Sequence, residues 1–77
     1  MNKQRRGQID RIIEALTALL PDLEEISEAE ADVFEAMPEG LQASERGQIA
    51  EAAAENLAEA VDGLQDIIEL LEEAKGE

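Results

Sequence analysis

Apolar residues in the first half of the chain recur every seven residues, a spacing typical of an α-helix that packs along one side. Two rows of the repeat carry most of them, and a third row widens the apolar stripe. The first row holds Ile9, Leu16, Leu23 and Met37, the second Ile12, Leu19, Ile26 and Val33, and the third Ile13, Leu20 and Phe34. A two-stranded coiled coil needs only two rows. We therefore expect a further element to cover the surplus apolar width.

The second half of the chain repeats this pattern with smaller side chains. Its first row holds Ala50, Leu57, Leu64 and Leu71, its second Ala53, Ala60, Ile67 and Ala74, and its third Ala54, Val61 and Ile68. Each half predicts one helix of about 30 residues, which is roughly 45 Å long at the helical rise per residue. The small rows of one helix can then face the bulky rows of the other, as close packing requires.

The segment MPEGLQASERG interrupts the repeat and predicts a turn. Pro38 disfavours a helical conformation at Met37, Gly40 is free to adopt a left-handed conformation, and Ser44 is a favourable N-cap for a following helix. A binding loop is the alternative interpretation of this segment. A connection this short makes the two helices antiparallel neighbours.

The predicted fold is all-α: an antiparallel two-helix hairpin with coiled-coil-like packing, forming one domain over residues 1–77. We expect the first helix over about 8–37, the turn over 38–44 and the second helix over about 45–75. Pro21 lies within the first helical stretch and predicts either a kink or a division into two helices.

Folding at the turn would bring the basic N-terminus next to the acidic C-terminus. Bases at the start of a helix and acids at its end both oppose the helix dipole, so pairing across the hairpin would relieve both. We expect Lys3, Arg5 and Arg6 to lie near Glu69, Glu72, Glu73 and Glu77.

The chain has 77 residues, a length at which a domain usually needs disulfides, a metal or a partner subunit to supplement its core. Cysteine and histidine are both absent, which removes disulfides and the usual zinc sites. Association with another subunit remains. The surplus apolar width leads us to expect a homodimer in which two hairpins form a four-helix bundle.

The formal net charge is −14, from 20 acidic and 6 basic residues. A surface of this sign repels nucleic acid and anionic membranes, so we expect no direct binding to either, and a basic protein surface as the partner. No apolar run approaches the length needed to span a membrane. We expect a soluble protein of the cytoplasm.

Seven acidic residues of the second helix lie within roughly 80° of one another on the helix circumference, at about 100° per residue. We call them the acidic ribbon: Glu51, Glu55, Glu59, Asp62, Asp66, Glu69 and Glu73. An ordinary solvated helix face would also place acids opposite the apolar stripe. The sign imbalance goes further, because Arg46 is the only base between residues 12 and 74, against 18 acids.

Enzymatic chemistry is not expected of this sequence. Carboxylates on a convex helix face have nothing to desolvate or orient them for acid–base catalysis. Helical sites for paired metals require histidines beside inward-facing glutamates, and the chain has no histidine. No calcium loop, phosphate loop or nucleophile motif is present. We expect no catalytic residue, no metal site and no cofactor.

The turn with its flank, MPEGLQASERGQ followed by an acid-rich helix, resembles a loose group of small acidic helical proteins of phages and mobile elements. The resemblance covers residues 37–48, and it carries over no functional residue. It implies a setting of conflict with the defences of a bacterial host cell, where acidic proteins that mimic DNA are common inhibitors.

Two functions follow as hypotheses. In the first, the protein is a non-enzymatic inhibitor, of the anti-CRISPR or anti-restriction kind, whose acidic ribbon occupies a basic surface on a nucleic-acid-binding host protein. In the second, it is a small homodimeric adaptor or structural module that docks a partner protein through its apolar face. The residues of that apolar docking site are Val33, Phe34, Met37 and Leu41.

Overall fold

The computed structural model describes residues 1–76 and contains three helices in the order α1 (Lys3–Glu35), α2 (Glu39–Gln42) and α3 (Glu45–Lys75). The long helices α1 and α3 pack against each other, and α2 is a single turn between them. The expected all-α fold with two long packed helices is therefore confirmed.

Helix α1 begins at Lys3, five residues earlier than the periodicity suggested. Its start is fixed by Asn2, whose side-chain oxygen accepts a hydrogen bond from the Arg5 backbone N–H at 2.8 Å. Such a bond satisfies one of the N–H groups that the first helical turn leaves without a partner. The helix ends at Glu35, ahead of the Met37–Pro38 step that disfavours helical backbone.

Pro21 neither divides α1 nor ends it, since the helix is continuous from Lys3 to Glu35. The residue is exposed, on the outer surface of the helix. Proline has no N–H to donate to Thr17, four residues back, and on this surface water can reach the carbonyl group left free.

The turn is more compact than an open loop. The Ser44 hydroxyl accepts from the Gly47 N–H at 3.3 Å, as expected of an N-cap. The Gln42 amide donates to the Phe34 carbonyl oxygen at 3.0 Å and ties α2 to the end of α1. The expectation of a left-handed Gly40 is wrong, because Gly40 lies inside the right-handed turn of α2.

Gly47 is the one residue among 1–76 that is buried. A Cβ atom at this position would overlap the backbone carbonyl oxygens of Leu41 and Gln42. The first turn of α3 thus passes directly under α2, at a distance that only glycine permits.

The rows that form the contact between α1 and α3 differ from those the repeat suggested. In both helices the first and third rows are the half-buried ones, including Ile13, Leu20 and Phe34 of α1. The second row of α1 lies outside the contact. Its members remain about half exposed: Ile12 50%, Leu19 55%, Ile26 53% and Val33 52%.

No hydrophobic side chain among the described residues is buried. The hairpin is a rod with Cα extents of 57 × 16 × 14 Å and a radius of gyration of 17.3 Å, against about 11.5 Å for a compact domain of this length. A two-helix rod has no interior layer, so each apolar side chain in the contact keeps one flank open to solvent.

The expected proximity of the basic N-terminus to the C-terminal acids holds for Arg6, which lines one hollow with Glu72 at the open end of the hairpin. No ion pair joins Lys3, Arg5 or Arg6 to those acids within the described residues. The ion pair found there runs in the opposite sense, from Lys75 of α3 to Asp10 of α1 at 2.6 Å. Glu77, the last of the acids in that expectation, lies outside the described residues. A carboxylate one turn further into α1 lies beside the end of α3, and Lys75 there also complements the α3 dipole.

The hydrogen bond from Lys75 to Asp10, and then the attraction of that carboxylate, raise the pKa of Lys75 above its usual 10.5. A raised lysine pKa gives a contribution to stability that is complete below the ordinary pKa and is lost as the pH rises through the raised one. We therefore expect Lys75→Met to lower the melting temperature equally at pH 6 and pH 8, with the difference shrinking above about pH 10.5. Thermal melts followed by circular dichroism test this, and a difference that grows in alkali would contradict it.

Candidate interaction surfaces

The acidic ribbon follows one long surface of α3, and all seven of its side chains are exposed. From Glu51 to Glu73 it covers 22 helical steps, which at 1.5 Å per residue is roughly 33 Å. Because the backbone is a single uninterrupted helix, successive residues of the ribbon follow one another at intervals of about 4.5–6 Å along its axis. The ribbon is therefore a regularly spaced row of acidic residues on one helix.

None of the ribbon carboxylates is neutralised by a base of the same chain within residues 1–76. The ion pair between Lys75 and Asp10 is the only one found among those residues, and it lies at the open end of the hairpin. The described residues likewise contain no cluster of acids arranged to hold a metal ion. The ribbon therefore presents its carboxylates to solvent, and to any partner, without a compensating base within those residues.

Repulsion among the unpaired carboxylates of the ribbon should lower the stability of the folded chain, and added salt should weaken that repulsion. Like charges three or four residues apart oppose helix formation by a few tenths of a kcal/mol per pair, and the ribbon has six successive pairs. Raising the salt from about 20 mM to about 500 mM shortens the screening distance from roughly 20 Å to roughly 4 Å. At fixed protein concentration we expect the melting temperature to rise by about 5–10 °C.

The matched control for this salt effect carries Glu55→Gln, Glu59→Gln and Asp66→Asn, which remove charge without changing side-chain size. Its melting temperature should respond to salt clearly less than that of the unchanged chain. Equal responses in the two proteins would show that repulsion along the ribbon is not what salt relieves.

The acids are not confined to one helix. On one side of the hairpin a shallow groove runs between α1 and α3, lined by Glu24, Ser27 and Glu28 of α1 and by Ala58, Val61 and Asp62 of α3. Of these residues, only Asp62 belongs to a site that the sequence predicts. Glu24 and Glu28 could have been found by matching the distance of each residue from the turn with its phase on the helix.

The opposite side of the hairpin is apolar. The second rows of both helices are displaced in the same direction from the contact, by roughly 60° from the first row, and an antiparallel pair therefore presents them on one common side. A groove there is lined by Leu16, Leu19, Leu23, Ile26 and Leu64, with Asp22 at its edge. We call this surface the apolar side, and it comprises the second rows together with Ile49 and Leu70 on the adjoining shoulder of α3.

Of the four residues expected to form an apolar docking site, two are exposed and two are half-buried. Val33 is 52% exposed on the apolar side and Leu41 is 37% exposed on α2. Phe34 and Met37 are half-buried at the end of α1 that adjoins α2 and α3. The four residues thus do not form one exposed cluster, although Val33 and Leu41 remain available for contact with a partner.

Within residues 1–76, no helix is both long enough and apolar enough to cross a membrane. Comparisons of the chain with protein-family models, with curated proteins and with solved structures find no match. The two surfaces of the hairpin, one acidic and one apolar, are therefore interpreted from their own residues.

Proposed function

We propose that this protein is a non-enzymatic inhibitor that occupies a basic, nucleic-acid-binding surface on a host protein. The observation that carries the proposal is the acidic ribbon: seven exposed carboxylates in a row on one helix, none of them paired with a base within the described residues. The inhibitor acts by competition, with its carboxylates standing in the positions that phosphates of a nucleic acid occupy.

Spacing and rigidity support this proposal. Charges at intervals of about 4.5–6 Å resemble in scale those along a nucleic-acid strand. The helix fixes the backbone positions of the ribbon before binding, so no ordering of the backbone has to accompany docking. A solubilising surface needs no such uniformity, and interspersed lysines would be more stabilising.

The shallow groove between α1 and α3 that is lined by Glu24, Glu28 and Asp62, here called the acidic groove, extends the negative surface beyond one helix. Glu24 and Glu28 add carboxylates beside Asp62, so the charged surface has width as well as length. A basic cleft shaped for a nucleic acid would therefore meet negative charge from both helices, and its field would steer the inhibitor toward it.

The biological setting follows from the resemblance to acidic proteins of phages and mobile elements. In that setting the partner is a nuclease of a CRISPR or restriction system, and the inhibitor acts in the cytoplasm of the bacterial host. The proposed mechanism involves no catalytic residue, no metal and no cofactor.

We further propose that the inhibitor is a dimer of hairpins forming a four-helix bundle. The absence of any buried hydrophobic side chain among the described residues supports this arrangement, since helical bundles derive most of their stability from an enclosed apolar layer.

The adaptor hypothesis is the second candidate, and the exposed apolar side favours it. In that case Val33 and Leu41 contact a partner protein while the acids only maintain solubility. Apolar docking responds weakly to ionic strength, whereas contact between an acidic ribbon and a basic cleft weakens steeply as salt rises.

The experiment that tests the inhibitor is a competition on proteins captured from a bacterial lysate by the tagged chain. At low salt we expect capture of a nucleic-acid-binding protein, and we expect duplex DNA to release it. The same amount of an uncharged polymer should release nothing. A captured protein that stays bound in about 500 mM salt and in excess DNA would favour the adaptor and contradict the inhibitor.

A further inference from the structure

We infer that the apolar side is the self-association surface of this protein, on which a second copy of the chain docks lengthwise. The inference rests on the dimer proposed above and supplies its interface, and it is independent of what the acidic ribbon binds.

The first reason is the state of the apolar residues. Hydrophobic residues make up 44% of the chain, yet within residues 1–76 none of them is buried. The accessible surface of the hairpin is 5630 Å², whereas a compact monomer of 8.4 kDa exposes about 4,600 Å². The single hairpin therefore exposes about 1,000 Å² more surface than a compact domain of this mass, and its apolar residues lie on that surface.

The second reason is area. One long side of the rod measures 57 Å by 16 Å between Cα atoms, a footprint of about 900 Å². A standard stable interface buries about 800 Å² on each partner. A lengthwise contact over this whole side of the rod thus provides the area that a stable dimer requires, with the second row of α1, from Ile12 to Val33 and roughly 32 Å long, along its middle.

The third reason is the low charge along the middle of this side. Asp22 is the one ionisable residue that lines the apolar groove. Charged residues border the apolar side only toward the ends of the rod, where Leu70 lies beside acids of the ribbon and where Arg5 and Arg46 continue the second rows. The acids of α3 lie at other positions of the repeat, on the outer surface and toward the acidic groove. Two copies can therefore join through their apolar sides while their negative surfaces point away from each other.

The fourth reason favours a second copy over an unrelated protein. The second row of α1 is bulky throughout, whereas the second row of α3 is alanine at three of its four positions, with Ile67 as the exception. When α1 of each copy packs on α3 of the other, bulky residues meet small ones twice, once on each side of the two-fold axis. The surface is complementary to itself.

A consequence for the molecule is that the dimer carries two acidic ribbons and two acidic grooves. All four lie on its outer surfaces, because the interface takes up only the apolar sides. One dimer can then engage two basic surfaces at once.

The first test is sedimentation equilibrium of the unchanged full chain across a wide range of concentrations. We expect a mass of about 16.8 kDa, twice the 8.4 kDa of one chain. A helical protein that stays at the mass of one chain at every concentration would overturn the inference and leave the apolar side to a different protein.

The second test places a charge on the apolar side and, as a matched control, next to it. Leu19→Glu should weaken dimerisation by at least about 100-fold, because the new carboxylate has to be desolvated at the interface. Ala18→Glu adds the same charge to an exposed neighbour on the outer surface and should leave the dimer unchanged. Equal dimerisation by both variants would overturn the inference.

A third variant guards against simple unfolding of the Leu19→Glu chain. Ile26→Ala keeps the helix, since alanine has the highest helix propensity, and removes only a side chain that is 53% exposed. We expect it to remain helical and to dimerise about tenfold more weakly. Dimerisation as tight as that of the unchanged chain would place the interface elsewhere.

Salt separates this inference from the inhibitor function. Two copies of like charge should associate more tightly as salt rises, whereas binding to a basic partner should weaken. A chain that dimerises and fails to bind any basic surface would disprove the function and leave the interface intact. A monomer that still binds one would disprove the interface alone.

Discussion

Replacing Gly47 by alanine is expected to lower the free energy of unfolding by about 3 kcal/mol or more, one of the largest effects of any single substitution in this chain. The added Cβ would overlap the carbonyl oxygens of Leu41 and Gln42, which are backbone atoms and cannot turn aside as a side chain can. Relief requires α2 to move off the first turn of α3. That movement would strain the hydrogen bonds from Gln42 to Phe34 and from Gly47 to Ser44.

Chemical denaturation at a fixed protein concentration measures this effect, because the stability of the proposed dimer would depend on concentration. Gly7→Ala is the matched control, since a Cβ at Gly7 meets nothing within 4 Å. In the helix interior alanine is favoured over glycine, and the control should gain about 0.5–1 kcal/mol. A Gly47→Ala protein as stable as the unchanged chain would show that α2 does not pack on α3 as described.

The two long helices were predictable because a seven-residue apolar repeat extends over most of each half of the chain, and such a repeat is typical of a helix. A β-strand would instead require apolar residues at every second position, a pattern that this sequence does not show. The stop before Pro38 and the start at Ser44 were predictable for a similar reason, since both depend on local chemistry of the backbone. The early start of α1 depends on one side chain, Asn2, which the periodicity does not include.

The choice of rows at the helix contact could not be read from the repeat. In α1 the second and third rows are similarly apolar, and they flank the first row on either side. Either flank can pack against α3, and the relative rotation of the two helices decides between them. In the structure the third row, with Phe34, turns inward, and the second row, with Leu19, is left exposed.

The conformation of the turn could also not be predicted from the local preferences of its residues. Gly40, two residues after Pro38, is the glycine for which the sequence predicts a left-handed conformation, yet it lies in a right-handed helical turn. For Gly47 the sequence indicates only that a glycine lies inside a helix, where it is unfavourable. Its role depends on how closely α2 approaches α3, which is a property of the folded chain.

The candidate site was predictable on one helix and not across two. The phase of α3 alone places all seven ribbon residues on its outer surface, and their exposure agrees with that placement. The groove formed by Glu24, Glu28 and Asp62 requires the register between α1 and α3. The register depends on the length of the turn. The register that places Glu24 and Glu28 beside Asp62 also brings Lys75 next to Asp10 at the open end of the hairpin.

Reversing four charges of the acidic ribbon should abolish binding to a basic partner. The variant carries Glu55→Lys, Glu59→Lys, Asp62→Lys and Asp66→Lys, and its net charge changes from −14 to −6, eight units less negative. Each substitution removes an attraction and adds a repulsion at the centre of the ribbon. Placing like charges together across an interface costs several kcal/mol, so we expect the affinity to fall by at least about 1,000-fold, or roughly 4 kcal/mol.

The folded state should survive this change. All four positions are exposed, lysine is a good helix former, and the new lysine at position 55 follows Glu51 by four residues, a favourable spacing for an ion pair. Helicity measured by circular dichroism should therefore be equal to that of the unchanged chain or higher. Lost binding in a well-folded variant can then be attributed to the ribbon.

The decisive control moves the same charge change to α1. Glu14→Lys, Glu25→Lys, Asp32→Lys and Glu35→Lys also alter exposed acids and also bring the net charge to −6. Those residues face away from α3, so a partner seated on the ribbon should still bind this variant within about tenfold of the original affinity, because only long-range attraction is reduced. Titration of the captured host protein with each variant provides the measurement. Equal loss in both would mean that total charge and not the ribbon governs binding, and unchanged binding in both would assign recognition to the apolar residues.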